Sequence, residues 1–142
     1  MREILFRGQR CDNGEWVQGF YVRADHHWHK NGIHKDWIIC GASANGGWFA
    51  LHNKYAVKSE TVGQFAGLTD MKGKKIFEGD ICRVTRPCVL AYGKITYVNG
   101  CFWFEDDGPG GMLRLCDAAI NGFVIAVIGN IHDNPGLLEG RQ

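Results

Sequence analysis

The chain has 142 residues, 45% hydrophobic and 22% charged, which fits one folded domain or two small units and excludes a disordered chain. Its net charge of +1 is evenly spread over the two halves. Because nucleic-acid-binding domains usually carry a basic excess, this balance disfavours that class. Since no apolar run approaches the ~20 residues that span a bilayer, a transmembrane helix is not predicted.

The N-terminal half predicts a β-hairpin followed by further short strands. Asn13-Gly14 is typical of a hairpin turn, because both residues tolerate positive φ. The polar, His-rich residues 23–36 predict an exposed loop or hairpin. No apolar spacing of three and four residues persists long enough for a helix here. Strands are predicted at residues 3–7, 15–22, 37–40 and 48–52.

The C-terminal half predicts more strands and two helical turns. Glu78-Gly79-Asp80 indicates a turn that leads into a strand. Helical turns are predicted at residues 115–121 and after Asn134, where Pro135 suits the first helical position and Asn134 its cap. Strands are predicted at residues 81–84, 89–98, 101–105 and 123–129.

The predicted fold class is all-β. Glycine makes up 20 of 142 residues, about twice its usual share of ~7%, which favours short strands and tight turns. Short strands at this spacing, joined by glycine turns, favour a small barrel over a sandwich of long strands. We predict an N-terminal β region at residues 1–66 with a His/Trp-rich insert, and a small barrel at residues 67–142, sharing one core.

The cysteines indicate a reducing compartment. All six stand singly, without a CxxC pair. The first residues, Met1 to Arg7, become charged too early for the apolar core of a secretory signal. Without export, cysteines stay reduced and pack as small apolar side chains. We therefore expect a cytoplasmic protein without disulfides.

Three blocks of sequence, taken together, resemble the YopX family of phage and prophage proteins. They are the opening residues 2–17, the central residues 60–81 and the closing residues 127–139. The blocks occur in the expected order and cover most of the chain, although residues 23–54 contain no matching motif. The resemblance implies an all-β fold with an SH3-like barrel in the C-terminal half, encoded by a phage or prophage in a bacterial host. The family has no assigned catalytic residues, so none carries over.

A histidine cluster is a weak metal-site candidate. It consists of His26, His27, His29 and His34. Imidazoles bind zinc or nickel, but a structural site needs four ligands at compatible spacing. On a strand His27 and His29 share a face and His26 points away, so adjacent ligands would require a loop. The spacing favours a solvated polar loop, and we predict no cofactor.

The acidic pair Glu78 and Asp80 could act as an acid–base couple, because alternate strand positions share a face. Gly79 between them, and the strand that follows, favour a structural turn instead. No His, Lys or third acid stands beside the pair in the sequence, so catalytic residues are not predicted. An enzyme is therefore the third interpretation of the chain.

Aromatic and basic residues are the remaining candidates for contact surfaces. Trp28 and Trp37 flank the polar loop, and an exposed tryptophan there would suit a partner surface. A basic and aromatic set on the predicted barrel could bind nucleic acid: Arg83, Arg86, Tyr92, Lys94 and Tyr97. We predict a non-enzymatic binding or assembly module with a protein partner and no membrane contact. The alternative is a nucleic-acid-binding barrel; the sequence leaves homo-oligomerisation open.

Overall fold

The structure is a computed structural model that describes residues 1–24, 35–45, 48–106, 108 and 111–139. The chain divides into two compact units, Met1–Gln64 and Phe65–Gln142. Strands dominate both units and pair antiparallel, which confirms the predicted all-β class. Within the described residues, no helix has the length and apolar character needed to cross a membrane.

The first elements along the chain are β1 (Phe6–Gln9), β2 (Trp16–Arg23), β3 (Asp36–Asn45), β4 (Trp48–Ala56), a 3-10 turn (Ser59–Thr61) and β5 (Gly63–Thr69). The first unit is an antiparallel sheet with strand order β4-β3-β2-β1, and the start of β5 pairs with β1. Asn13 and Gly14 make the predicted hairpin turn: Gly14 has φ of +74°, and Asn13 Oδ1 accepts the Glu15 N–H at 3.0 Å.

The two faces of this first sheet differ in burial. On one face Ile38 is fully buried, and Phe6 contacts Tyr21 with ring centroids 5.5 Å apart. Gly19 lies on the same face, where a Cβ would stand only 2.2 Å from the carbonyl oxygen of Ile39. Strands β2 and β3 therefore approach so closely that only glycine fits. The opposite face is exposed at Phe20.

The second unit continues with β6 (Lys75–Phe77), β7 (Asp80–Arg86), β8 (Val89–Val98), β9 (Cys101–Asp106), β10 (Met112–Arg114), α1 (Leu115–Ile120), β11 (Val124–Asn130) and α2 (Gly136–Glu139). It contains a five-stranded antiparallel sheet with order β10-β9-β8-β7-β11, while β6 pairs with the later part of β5. Among the described residues the sheet is open, and a closed SH3-like barrel is not shown.

The two helices confirm the predicted helical turns, with one difference at the start of α2. The carbonyl of Asn134 accepts the Leu137 N–H at 3.0 Å, as at a helix start. The side chain of Asn134 instead accepts the Asn130 N–H at 3.3 Å, so it closes the turn after β11 rather than capping the helix. The core of this unit consists of Ile76, Cys82, Val84, Ile95, Phe104, Leu115, Ala118 and Ile125.

The predicted turn before β7 is confirmed. Gly79 has φ of +88°, a conformation that glycine adopts without steric cost. The carboxylate of Asp80 is 1% exposed and accepts the Phe77 N–H at 2.8 Å. Gly79 also donates to the carbonyl of Ile95 at 2.8 Å and accepts from the Ile131 N–H at 2.9 Å. This turn therefore joins three separate segments of the unit.

Candidate binding surface

Several predicted site residues cannot be placed. His26, His27, His29, His34 and Trp28 lie outside the described residues. Elsewhere in the chain, the described part contains no group of three or more His, Cys, Asp or Glu side chains arranged to hold a metal ion. The histidine site therefore stays a weak prediction.

Trp37 lies on a partly exposed sheet face of the first unit. It stands on β3 directly opposite Val22 of β2 and Ala56 of β4. The adjacent row on the same face consists of Phe20, Ile39 and Lys54, because alternate residues of a strand share a face. We call these six residues the Trp37 face.

The exposed residues of the Trp37 face are Phe20, Val22 and Lys54, while Ile39 is only 5% exposed. Phe20 is 60% exposed and Val22 is 41% exposed, while Trp37 is half-buried between the flanking strands. Solvent-facing strand positions are ordinarily polar, since one side of an antiparallel sheet commonly faces water. A contiguous apolar patch on such a face marks a contact surface more often than a scattered exposed residue does.

A cavity of about 330 Å³ adjoins this face. Strands β3 and β4 contribute one wall, and the turn after β1 contributes the other. The Cys11 N–H donates to the carbonyl of Ala56 at 2.9 Å, which holds that turn against the end of β4. The cavity is lined by Cys11, Asp12, Trp37, Lys54, Tyr55 and Ala56.

Arg10 forms an ion pair with Asp12, the acidic residue of the cavity lining. Its guanidinium donates to both carboxylate oxygens of Asp12, at 2.9 and 2.5 Å, and lies 4.3 Å from the centre of the Tyr55 ring. The hydrogen bond from Arg10 holds the pKa of Asp12 below its usual range. Burial raises the pKa of the Cys11 thiol, which keeps it protonated at neutral pH.

Lys54 is the uncompensated charge at the cavity. It is exposed and forms no ion pair with any residue that the structure describes. Arg10 pairs with both Asp12 and Glu15, whereas Lys54 places an ammonium without an ion-pair partner among the described residues beside the Trp37 and Tyr55 rings.

A buried carboxylate, that of Asp36, directly precedes Trp37 on β3. Asp36 is 1% exposed, and its two oxygens accept hydrogen bonds from the hydroxyls of Tyr21 and Ser59. Burial by itself would raise the pKa of Asp36, but the donors from Ser59 and Tyr21 outweigh it and hold this pKa below the usual range. Sequence reasoning missed this group, because its members are 15 and 23 residues apart.

The basic and aromatic set predicted on the second unit is divided by the sheet. Arg83 of β7 stands opposite Tyr92 of β8, and Lys94 lies two residues further along on the same face. Lys94 is also 3.7 Å from the carboxylate of Glu105 on β9. Arg83 is exposed on this face and forms no ion pair with a residue that the structure describes.

Arg86 and Tyr97 lie on the opposite face. Arg86 is three residues from Arg83 on a continuous strand, and its guanidinium lies 5.2 Å from the centre of the Phe123 ring. Tyr97 packs on Phe102 with ring centroids 5.0 Å apart. The five predicted residues therefore do not form one surface.

Comparison with known proteins identifies the family of this chain. The model of the YopX protein family matches residues 5–139. The chain belongs to the YopX family. The matched range of this YopX family member includes all six residues of the Trp37 face and the Gly79 turn.

A solved structure supports the fold. The crystal structure of protein EF1440 from Enterococcus faecalis has a TM-score of 0.64 and 23% sequence identity, covering 97% of this chain and 99% of that one. At this identity the likeness shows the fold alone. No curated protein matches the sequence.

Proposed function

We propose that the chain is a non-enzymatic accessory protein of a phage or prophage. In this proposal it acts in the bacterial cytoplasm by binding another protein through the Trp37 face. The observation that carries the proposal is the exposure of Phe20, 60% in the middle of a strand, next to Val22 and Trp37. Aromatic residues are enriched at protein interfaces, where burial of a few of them supplies most of the binding energy.

The polar groups in the same unit favour binding over catalysis. Ser43 Oγ and His52 Nε2 are 2.6 Å apart, the spacing of a nucleophile and its base. Both side chains are exposed, however, so water competes for their hydrogen bond. A catalytic serine also needs donors for a developing oxyanion in a site that excludes water. We therefore interpret the pair as a cross-strand surface contact.

Affinity capture from bacteria that carry the phage or prophage tests this proposal. The wild-type chain is immobilised beside a variant with Phe20→Ser and Val22→Ser. The matched control is Leu90→Ser, because Leu90 is 59% exposed on β8 and lies outside the Trp37 face. We expect a protein retained by the wild type and the control and lost with the double variant. Equal retention by all three, or by none, would contradict the proposal.

A second candidate function is nucleic-acid binding through the β7–β8 face. The observation in its favour is the exposed Arg83 beside Tyr92, with Lys94 on the same face. A gel shift with random DNA and RNA at low salt tests it, since phosphate binding is strongest there. The variant with Arg83→Glu and Lys94→Glu should abolish any shift. Arg86→Glu, on the opposite face, should retain most of it.

A further inference from the structure

The charges around the cavity indicate which partner chemistry fits the Trp37 face. Asp12 is held by Arg10, whereas Lys54 forms no ion pair with a described residue. Lys54 stands directly opposite Ile39 and in the row of the exposed Phe20. Lys54 therefore presents its ammonium at the border of the apolar residues Phe20 and Val22.

We propose that the Trp37 face binds an acidic, extended peptide segment of the partner, with an apolar side chain in the cavity against Trp37 and a carboxylate beside Lys54. This inference rests on the proposed function and specifies its partner. Complementary charge at an interface sets specificity and association rate, while the apolar anchor supplies affinity.

The dimensions of the face suit a peptide. The rows Val22–Trp37–Ala56 and Phe20–Ile39–Lys54 cross three strands, so each spans about 10 Å at the usual strand spacing of ~4.8 Å. Successive rows are about 7 Å apart, the distance between side chains on one face of an extended chain. When one side chain of an extended peptide lies over the row that contains Trp37, the side chain two residues away therefore lies near the row that contains Lys54.

A nucleic acid fits this face less well. Single strands are bound by several cations along the backbone together with stacking rings. The Trp37 face offers one ammonium, Lys54, and two of its exposed positions are Phe20 and Val22. Carboxylate recognition needs only one such cation, and the apolar neighbours then contact the side chains of the peptide.

Panning a library of random linear peptides against the full immobilised chain tests the inference. We expect the recovered peptides to combine an aromatic or large aliphatic residue with Asp or Glu two positions away. Lys54→Glu should weaken binding of a recovered acidic peptide by about fivefold at low salt, the scale of an exposed ion pair and its reversal. The control Lys72→Glu makes the same charge change at an exposed turn of the second unit and should leave binding unchanged.

The outcomes separate this inference from the proposed function. Enrichment without an acidic bias, or binding that Lys54→Glu leaves unchanged, overturns the acidic peptide while capture through Phe20 and Val22 still stands. The inference is also overturned if the wild type recovers no more peptide than the variant with Phe20→Ser and Val22→Ser. A single-stranded oligonucleotide that binds the wild type, but not Lys54→Glu, would assign the face to nucleic acid and overturn the peptide.

Discussion

The carboxylate of Asp70 accepts a hydrogen bond from the backbone N–H of Val127, which lies 57 residues further along the chain, at 3.0 Å. The other oxygen of Asp70 accepts the backbone N–H groups of Lys72 and Lys74, each at 2.9 Å. One side chain, 8% exposed, thus closes its own turn and joins that turn to β11. The Met71 N–H adds a further bond to the carbonyl of Ile125 at 2.9 Å.

Asp70→Asn should destabilise the chain by about 1–3 kcal/mol at neutral pH, because an amide NH₂ would replace one of the two accepting oxygens and face a backbone N–H. Urea unfolding measures this change. Asp117→Asn is the control: its carboxylate is partly exposed and pairs with Arg114 at 2.8 Å, so a loss below ~1 kcal/mol is expected.

The contribution of the Asp70 carboxylate to the stability of the chain should decrease on acidification. Burial alone would raise the pKa of Asp70, but the three backbone donors outweigh it and lower this pKa below the usual ~3.9 of an unfolded aspartate. A lowered folded-state pKa gives stability that is present above the unfolded value and lost as pH falls through the folded one. The wild-type advantage over Asp70→Asn should therefore be constant from neutral pH down to about pH 5 and shrink below about pH 4. An advantage that grows on acidification would contradict this assignment.

Tyr21→Phe and Ser59→Ala should each destabilise the first unit by about 1–3 kcal/mol, because each removes a donor from the buried Asp36 carboxylate. Each change should also raise the pKa of Asp36, which carbon NMR of the carboxyl group measures. Tyr97→Phe provides the control at a tyrosine that is 50% exposed. An unchanged Asp36 pKa in both variants would show that the hydroxyls do not hold the charge.

Gly19→Ala should disrupt the first unit, since the new methyl group would lie 2.2 Å from the carbonyl oxygen of Ile39 and force β2 and β3 apart. We expect a loss of about 3 kcal/mol or more, at the upper end of overpacking costs. Gly41→Ala is matched to it in the same sheet, with its nearest contact at an ordinary 3.8 Å from His52 Cβ. Thermal unfolding that ranks the two variants equally would contradict the close approach.

The six cysteines are free in the structure. Iodoacetamide should modify Cys88 and Cys116 in the native protein, because both are exposed, and should reach Cys82, which is fully buried, only on unfolding. Mass spectrometry of the digested protein with and without denaturant separates the two groups. Rapid native labelling of Cys82 would contradict its place in the core.

Local signals in the sequence predicted local structure well. The Asn13-Gly14 hairpin and the Gly79 turn could be predicted because a few adjacent residues determine each one. The division of Arg83 from Arg86 also follows from strand periodicity alone, since residues three apart on one strand face opposite sides. Grouping them by composition therefore produced a surface that the fold does not contain.

The candidate site could be predicted only in part. Trp37 was recognised from its place beside a polar stretch, but the row that it forms with Val22 and Ala56 depends on the register of three strands. The burial of Asp36 likewise depends on Tyr21 and Ser59, which tertiary packing brings to it. Pairing between distant segments leaves no short-range pattern in the sequence, and these features therefore required the structure.

The place of β11 beside β7 has a consequence for synthesis of the chain. Strands β7 to β10 are neighbours in both sequence and sheet, but among the described residues the other edge of β7 pairs with β11, which follows all of them in the chain. On the ribosome, β7 therefore emerges well before its second partner and exposes an unpaired edge in the meantime. A nascent chain halted before Val124 would carry that edge permanently and recruit chaperones or proteases instead of completing its core.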